Sequence, residues 1–213
     1  IKNKLDKIQL SPPKLSLENE ISELIKLYKN ELYDQVIEKG ETVYSRFERS
    51  HMVTNIIGSA CLKIKDYEQA KIYYEKTIKL NQKFSEGYYN LGYTYWLLGQ
   101  SSLAEKYCFK AIKTKANNHL LGFVYDLLGM LAELKNDIKN AKKYYKKASL
   151  LNNSYHTPIY NLALVQLYDC QFKEGFINHD YRWSISSFAK KKLHTNQPLW
   201  SPSLTTDNHV TIW

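Results

Sequence analysis

Residues 88–111 read YYNLGYTYWLLGQSSLAEKYCFKA. Gly99 and Gln100 divide this stretch into two segments, and such residues favour turns and helix caps over helix interiors. Each segment carries apolar residues at helical spacing, which predicts a pair of amphipathic helices. Gly92, Ala104 and Ala111 are small at the places where two helices must approach to about 8–10 Å.

The pattern recurs on both sides. Residues 55–80, NIIGSACLKIKDYEQAKIYYEKTIKL, and 126–151, DLLGMLAELKNDIKNAKKYYKKASLL, show the same landmarks in the same order. Gly58, Gly92, Gly129 and Ala163 are equivalent, separated by 34, 37 and 34 residues. In the second unit Ile57, Cys61 and Ile64 line one helical face, and Tyr67, Ala70, Tyr74 and Ile78 line the next. Small residues recur in the second helices at Ala70, Ala104, Ala111, Ala141 and Ala148, and turn residues at Lys65 with Asp66 and Asn136 with Asp137. One hairpin cannot bury its apolar faces alone, so the units must stack.

A period of about 34 residues with Tyr88, Leu91, Gly92, Tyr95, Gly99, Ala104 and Ala111 in place resembles the tetratricopeptide repeat. The resemblance implies an all-α fold, a right-handed superhelix of stacked antiparallel helix pairs, with a short irregular or strand-like C-terminal tail. The expected organisation is a linker over 1–16, five repeats at 17–50, 51–84, 85–118, 122–155 and 156–189, and a further linker with the start of another domain over 190–213. The first unit has Leu24 in the glycine place and Glu20 in the aromatic place, as suits an end cap with one solvent face. Gln82, Ala116 and Asn153 replace the family's proline near the unit ends. His119, Leu120 and Leu121 break the register, predicting an extended helix or a loop.

In this family ligands lie in the groove lined by the first helices. Carried over by register, the groove residues are Asn55, Ser59 and Lys63, then Tyr89, Asn90, Tyr93 and Trp96, then Phe123, Asp126, Met130 and Glu133, and finally Tyr160, Asn161, Leu164 and Tyr168. Rigid aromatics give contact area at low entropic cost, and amide side chains bond a peptide backbone of any sequence. Asn90 and Asn161 also stand where the O-linked N-acetylglucosamine transferases carry a row of asparagines, a row that Ile56 and Leu127 interrupt. The two-carboxylate clamp of chaperone-binding relatives is not visible.

Composition narrows the rest. The chain of 213 residues has 30 Lys and Arg against 21 Asp and Glu, a formal charge of +9 that favours acidic partners without naming one. Cys61, Cys108 and Cys170 lie far apart with no C-x-x-C pair, so neither a disulfide framework nor a zinc site is expected. No apolar run reaches the roughly 18 residues of a membrane span, and the opening IKNKLDKIQLSPPKLS has no signal-peptide core; a soluble, cytoplasmic protein is expected. Hydrolase, metalloprotease, P-loop and dinucleotide motifs are missing, so no catalytic residue, metal site or cofactor is predicted. His179 and Asp180 are adjacent, and neighbouring helical residues point in different directions, so they read as surface or packing residues. Lys139, Lys142, Lys143, Lys146 and Lys147 form one helical stripe, read either as a solvated convex face or as a seat for an anionic surface. RNA-reading repeats do not carry this glycine and alanine pattern, which argues against nucleic acid.

The C-terminal part looks like the join between repeats and a glycosyltransferase-like domain in bacterial proteins. Residues 174–183, EGFINHDYRW, lead to Pro198, Trp200, Leu204 and the strand-like 209–213, while Ser201, Pro202, Asp207 and Asn208 replace the glycines seen in that family. A lone terminal strand must lie along the helices, pair with something absent or be disordered. The expected function is a protein-interaction module, not an enzyme, holding a protein or peptide in its concave groove. The alternative is the acceptor-recognition arm of a larger glycosyltransferase.

Overall fold

A computed structural model describes residues 16–189. The tail features at Pro198, Trp200, Leu204 and 209–213 lie outside the described residues. Within them the chain is helical throughout, in hairpins: α1 (Leu17–Lys29) with α2 (Tyr33–Arg46), α3 (His51–Lys63) with α4 (Tyr67–Leu80), α5 (Ser85–Leu97) with α6 (Ser101–Lys113), α7 (Asn118–Leu134) with α8 (Ile138–Leu151), and α9 (Thr157–Tyr168) with α10 (Phe172–His179). A 3-10 turn at Asp180–Ser184 and a short α11 (Ser186–Ala189) follow. Each helix packs on its neighbours in sequence, so the array is stacked rather than wrapped around one centre.

The turns explain why the helices stop where they do. Glu31, Lys65, Gly99, Asn136 and Cys170 all adopt left-handed backbone, with φ between 56 and 73°. The next N–H then reaches back five residues: Leu32 to the Leu27 carbonyl, Asp66 to Cys61, Gln100 to Tyr95, Asp137 to Ala132 and Gln171 to Gln166, at 2.8–3.1 Å. This closure satisfies carbonyls that the helix end leaves free. Asp66 and Asp137 then cap the following helices, accepting from the Gln69 and Asn140 N–H groups at 3.1 Å. Only one of these five positions is glycine, and a side chain in this conformation costs about 1 kcal/mol. At Gly99 no atom stands within 4 Å of an added Cβ, so the cost there is purely that of the backbone. Gly99→Ala should therefore lower stability by about 1 kcal/mol and Lys65→Gly should raise it by a few tenths to about 1 kcal/mol, read from chemical unfolding. Equal stability of all three proteins would show that the turns are not held in this conformation.

The small first-helix residues do more than bring helices together. At Gly92 a Cβ would stand 3.2 Å from the Ala104 carbonyl, the expected close approach of two backbones. At Gly58 and Gly129 the neighbour is instead a tyrosine ring, Tyr74 at 2.9 Å and Tyr145 at 2.4 Å. Both rings are fully buried, with the Tyr74 hydroxyl donating to Ser59 and that of Tyr145 to Glu133. Cys108 takes the equivalent place in the third hairpin, so no ring needs room there. Burial pushes the thiols of Cys61 and Cys108 up to about 11 and about 12, as suits small core residues.

Two sequence ambiguities resolve. His119, Leu120 and Leu121 extend α7 to 17 residues rather than forming a loop, with Asn117 capping the added turn through the Leu120 N–H at 2.8 Å. Glu20 does not face solvent: it is 2% exposed, with Arg46 of α2 at 2.5 Å and Lys39 at 3.7 Å. A carboxylate in the aromatic place is tolerated because two cations reach it.

Candidate functional site

The first helices α3, α5, α7 and α9 touch in succession and form one continuous surface. Two buried polar residues lie in it, Asn55 at 6% and Asp126 at 4% exposure. The amide of Asn90 donates to the Asn55 carbonyl at 3.0 Å, and that of Asn161 donates to one Asp126 oxygen, also at 3.0 Å. Each bond spans 35 residues and ties one first helix to the next, α3 to α5 and α7 to α9. The second Asp126 oxygen accepts from the Tyr155 hydroxyl at 2.6 Å. Burial pushes the Asp126 carboxyl up to about 6, against the hydrogen bonds of Tyr155 and Asn161, with the nearby Glu133 charge adding to the rise.

Above this polar layer runs a chain of rings. Trp96 meets Tyr93 at 5.4 Å between centroids, Tyr93 meets Tyr89 at 6.2 Å, Tyr89 meets Phe123 at 6.1 Å and Phe123 meets Tyr155 at 4.6 Å. His119 stands edge-on to Phe123 at 5.0 Å. These separations fall within the favourable range for aromatic pairs. Burial raises the hydroxyl pKa values of Tyr89 and Tyr93, keeping both neutral donors.

Of the groove residues predicted from register, Tyr89, Tyr93, Trp96 and Phe123 come together in this ribbon, and Asn55, Asn90, Asp126 and Asn161 form the layer beneath. Ser59 is half-buried, donating to the Asn55 backbone carbonyl at 2.9 Å and accepting from Tyr74 at 3.1 Å. Met130 packs against the cluster of Ala132, Ala141, Tyr145, Leu162 and Val165. Glu133 holds the Tyr145 hydroxyl, and Lys63 is exposed. Tyr160 turns to the C-terminal segment, with His179 at 5.5 Å and Phe188 at 5.1 Å, while Leu164 and Tyr168 are exposed at 42% and 72%. Register missed Tyr155 and His119, which lie outside the places it assigns to the groove.

The lysine stripe on α8 is partly engaged. Lys142 pairs with Asp169, and Lys147 stands 4.2 Å above the Tyr125 ring. Lys139, Lys143 and Lys146 are exposed. Among the described residues no group of three His, Cys, Asp or Glu could hold a metal ion, and no helix is long and apolar enough to cross a membrane.

The tetratricopeptide repeat model matches the sequence at residues 55–84, 85–118 and 124–155. These are tetratricopeptide repeats. Among solved tetratricopeptide-type structures, pilF of Pseudomonas aeruginosa superposes with a TM-score of 0.72 at 13% identity, covering 84% of this chain and 78% of that one. A thermophilic TPR protein of Thermus thermophilus gives 0.67 at 14%, covering 82% and 94%. YrrB, described as a TPR protein with an unusual peptide-binding site, gives 0.59 at 16%, covering 84% and 94%. Identities this low establish the shared fold, the right-handed tetratricopeptide superhelix. No curated protein sequence matches the chain significantly.

Proposed function

We propose that this tetratricopeptide array, taken as residues 17–189, binds a polypeptide along its first-helix groove, with the aromatic ribbon from Trp96 to Phe123 as the main contact. Tetratricopeptide arrays are in general protein-interaction modules, and the chain has that architecture. The observation that carries the reading is the unbroken row of rings across α5 and α7. Tyr93 and Trp96 are half-buried, so each keeps a face that a ligand can cover. The Asn90 and Asn161 amides each spend a donor on the preceding first helix, which leaves apolar and aromatic side chains of the partner as the groups best matched here.

Peptides selected from a random displayed library on the wild-type protein provide the test. Changing Tyr93 and Trp96 together to Ala should weaken their binding by roughly thirty-fold, equal to about 2 kcal/mol, measured by fluorescence anisotropy. Phe109→Ala, on the second helix α6 and 41% exposed, should leave affinity unchanged. Equal affinity of the double variant and the wild type would place the binding face elsewhere.

A further inference from the structure

The outward side of the second helices carries a charge pattern that the groove does not use. Val36, Ala70, Ala104 and Ala141 are equivalent buried residues near the starts of α2, α4, α6 and α8. Two residues before each begins a stripe at i, i+4, i+7 and i+11 that runs along the side of the helix opposite the buried one. Every residue of the four stripes is exposed. In α2 they are Asp34, Glu38, Glu41 and Ser45; in α4 they are Glu68, Ile72, Glu75 and Lys79. In α6 they are Ser102, Lys106, Phe109 and Lys113; in α8 they are Lys139, Lys143, Lys146 and Leu150. The formal charge of the stripes therefore runs −3, −1, +2 and +3 from one end of the ridge to the other.

Helix stability does not account for this order. Lys139 lies in the first turn of α8, where the helix dipole opposes a cation and no acidic residue offsets it. Lys139, Lys143 and Lys146 repel one another at i+4 and i+3 spacing, as do Asp34, Glu38 and Glu41. Among the described residues none of these three lysines, nor Asp34 or Glu38, joins an ion pair. Glu41 accepts from the Tyr73 hydroxyl at 2.6 Å, a neutral donor that leaves its charge in place.

The gradient selects among partners. A lipid surface or a nucleic acid would be drawn to α6 and α8 and repelled by α2 and α4, whereas a second copy can use the whole ridge. Turning that copy about a two-fold axis parallel to the helices, between α4 and α6, sets α8 over the partner's α2 and α6 over its α4, with the helices of each pair pointing the same way. Equivalent positions then meet: Lys139 with Asp34, Lys143 with Glu38 and Lys146 with Glu41, once at each end. Ile72 and Phe109, 39% and 41% exposed, lie about one turn apart in height on the two central helices and make an apolar middle between charged ends. The overall charge of +9 repels a second copy at a distance, but screening over about 8 Å at physiological salt leaves the facing ridges to decide.

We infer that this chain pairs with a second copy of itself across the outer ridge of α2, α4, α6 and α8, as a salt-sensitive two-fold dimer held by the acidic stripe of α2 against the basic stripe of α8. The contact uses second helices only and leaves the aromatic ribbon open.

Sedimentation velocity on the full chain provides the test. At about 100 µM protein the wild type should be dimeric in about 0.1 M salt and monomeric in about 1 M, where the screening length falls from about 10 to about 3 Å. Lys143→Glu combined with Lys146→Glu should be monomeric at the lower salt, and so should Asp34→Lys combined with Glu38→Lys, both keeping the circular dichroism of the wild type. An equimolar mixture of the two variants should recover the dimer, because each supplies the charge that the other has lost. A monomeric wild type would overturn the inference, as would a dimer that survives high salt or either pair of substitutions, or a mixture that stays monomeric. A monomeric wild type that binds phosphatidylserine vesicles, with binding lost on changing Lys143 and Lys146, would overturn it in favour of a lipid surface.

Discussion

Gly129→Ala should lower the unfolding free energy by about 1–2 kcal/mol, although alanine is the better helix former by about 1 kcal/mol. The added methyl would stand 2.4 Å from Cε1 and 2.6 Å from Cδ1 of Tyr145. That ring cannot step aside, because it is fully buried and its hydroxyl is fixed to Glu133. Removing the ring instead, in Tyr145→Ala, should cost about 3–5 kcal/mol through the cavity it leaves. The two changes share one space, so their effects must not add. In the Tyr145→Ala background the Gly129 methyl enters vacated volume, and Gly129→Ala should become neutral or stabilising, a coupling of about 1–3 kcal/mol in a double-mutant cycle from urea unfolding. Gly92→Ala, whose Cβ would meet backbone atoms at 3.2–3.4 Å, should show no such dependence on Tyr145. If Gly129→Ala costs the same with and without the ring, glycine is there for another reason.

The fold was legible because small residues and turn residues recur at one interval, and stacking needs little more than that interval. The role of each small residue was less legible. Gly58, Gly92 and Gly129 look alike in sequence, yet only two of them accommodate a tyrosine, a difference set by residues 74, 108 and 145 on the opposite helix. The ribbon residues Tyr89, Tyr93, Trp96 and Phe123 were readable from register because they share one helix face. Asn55, Asn90, Asp126 and Asn161 were readable too, but their pairing was not. Register compares Asn90 with Ile56 and Asn161 with Leu127, but neighbouring first helices meet one residue out of step, so the partners are Asn55 and Asp126. Glu20 was misread for a related reason: its partner Arg46 lies 26 residues away on another helix, and no local pattern signals it.

Acidification from pH 7 toward pH 5 should relieve a strain that Asp126 imposes on the fold. Its carboxyl is raised from the ordinary 3.8 to about 6, first by burial, so the folded state holds the proton more tightly than the unfolded chain does. Above about pH 6 the ionised form is disfavoured in the fold by about 3 kcal/mol, and that penalty fades as pH falls from about 6 toward about 4. Asp126→Asn should remove it at pH 7, raising stability by up to about 3 kcal/mol and abolishing this part of the slope in urea unfolding between pH 7 and 5. The amide keeps an oxygen for the Tyr155 hydroxyl, and Asn161 can turn its own carbonyl toward the new N–H. Asp126→Leu should behave oppositely, leaving the Tyr155 and Asn161 donors buried without an acceptor at about 1–3 kcal/mol each. An Asn variant with the wild-type pH slope would show that Asp126 is not the buried titrating group. The native carboxylate gives up stability and in return fixes Tyr155, which ends the row of rings at Phe123. If the ribbon is the contact surface proposed above, a destabilising charge held by two donors beside it is what selection for a shaped groove, rather than for stability, would leave behind.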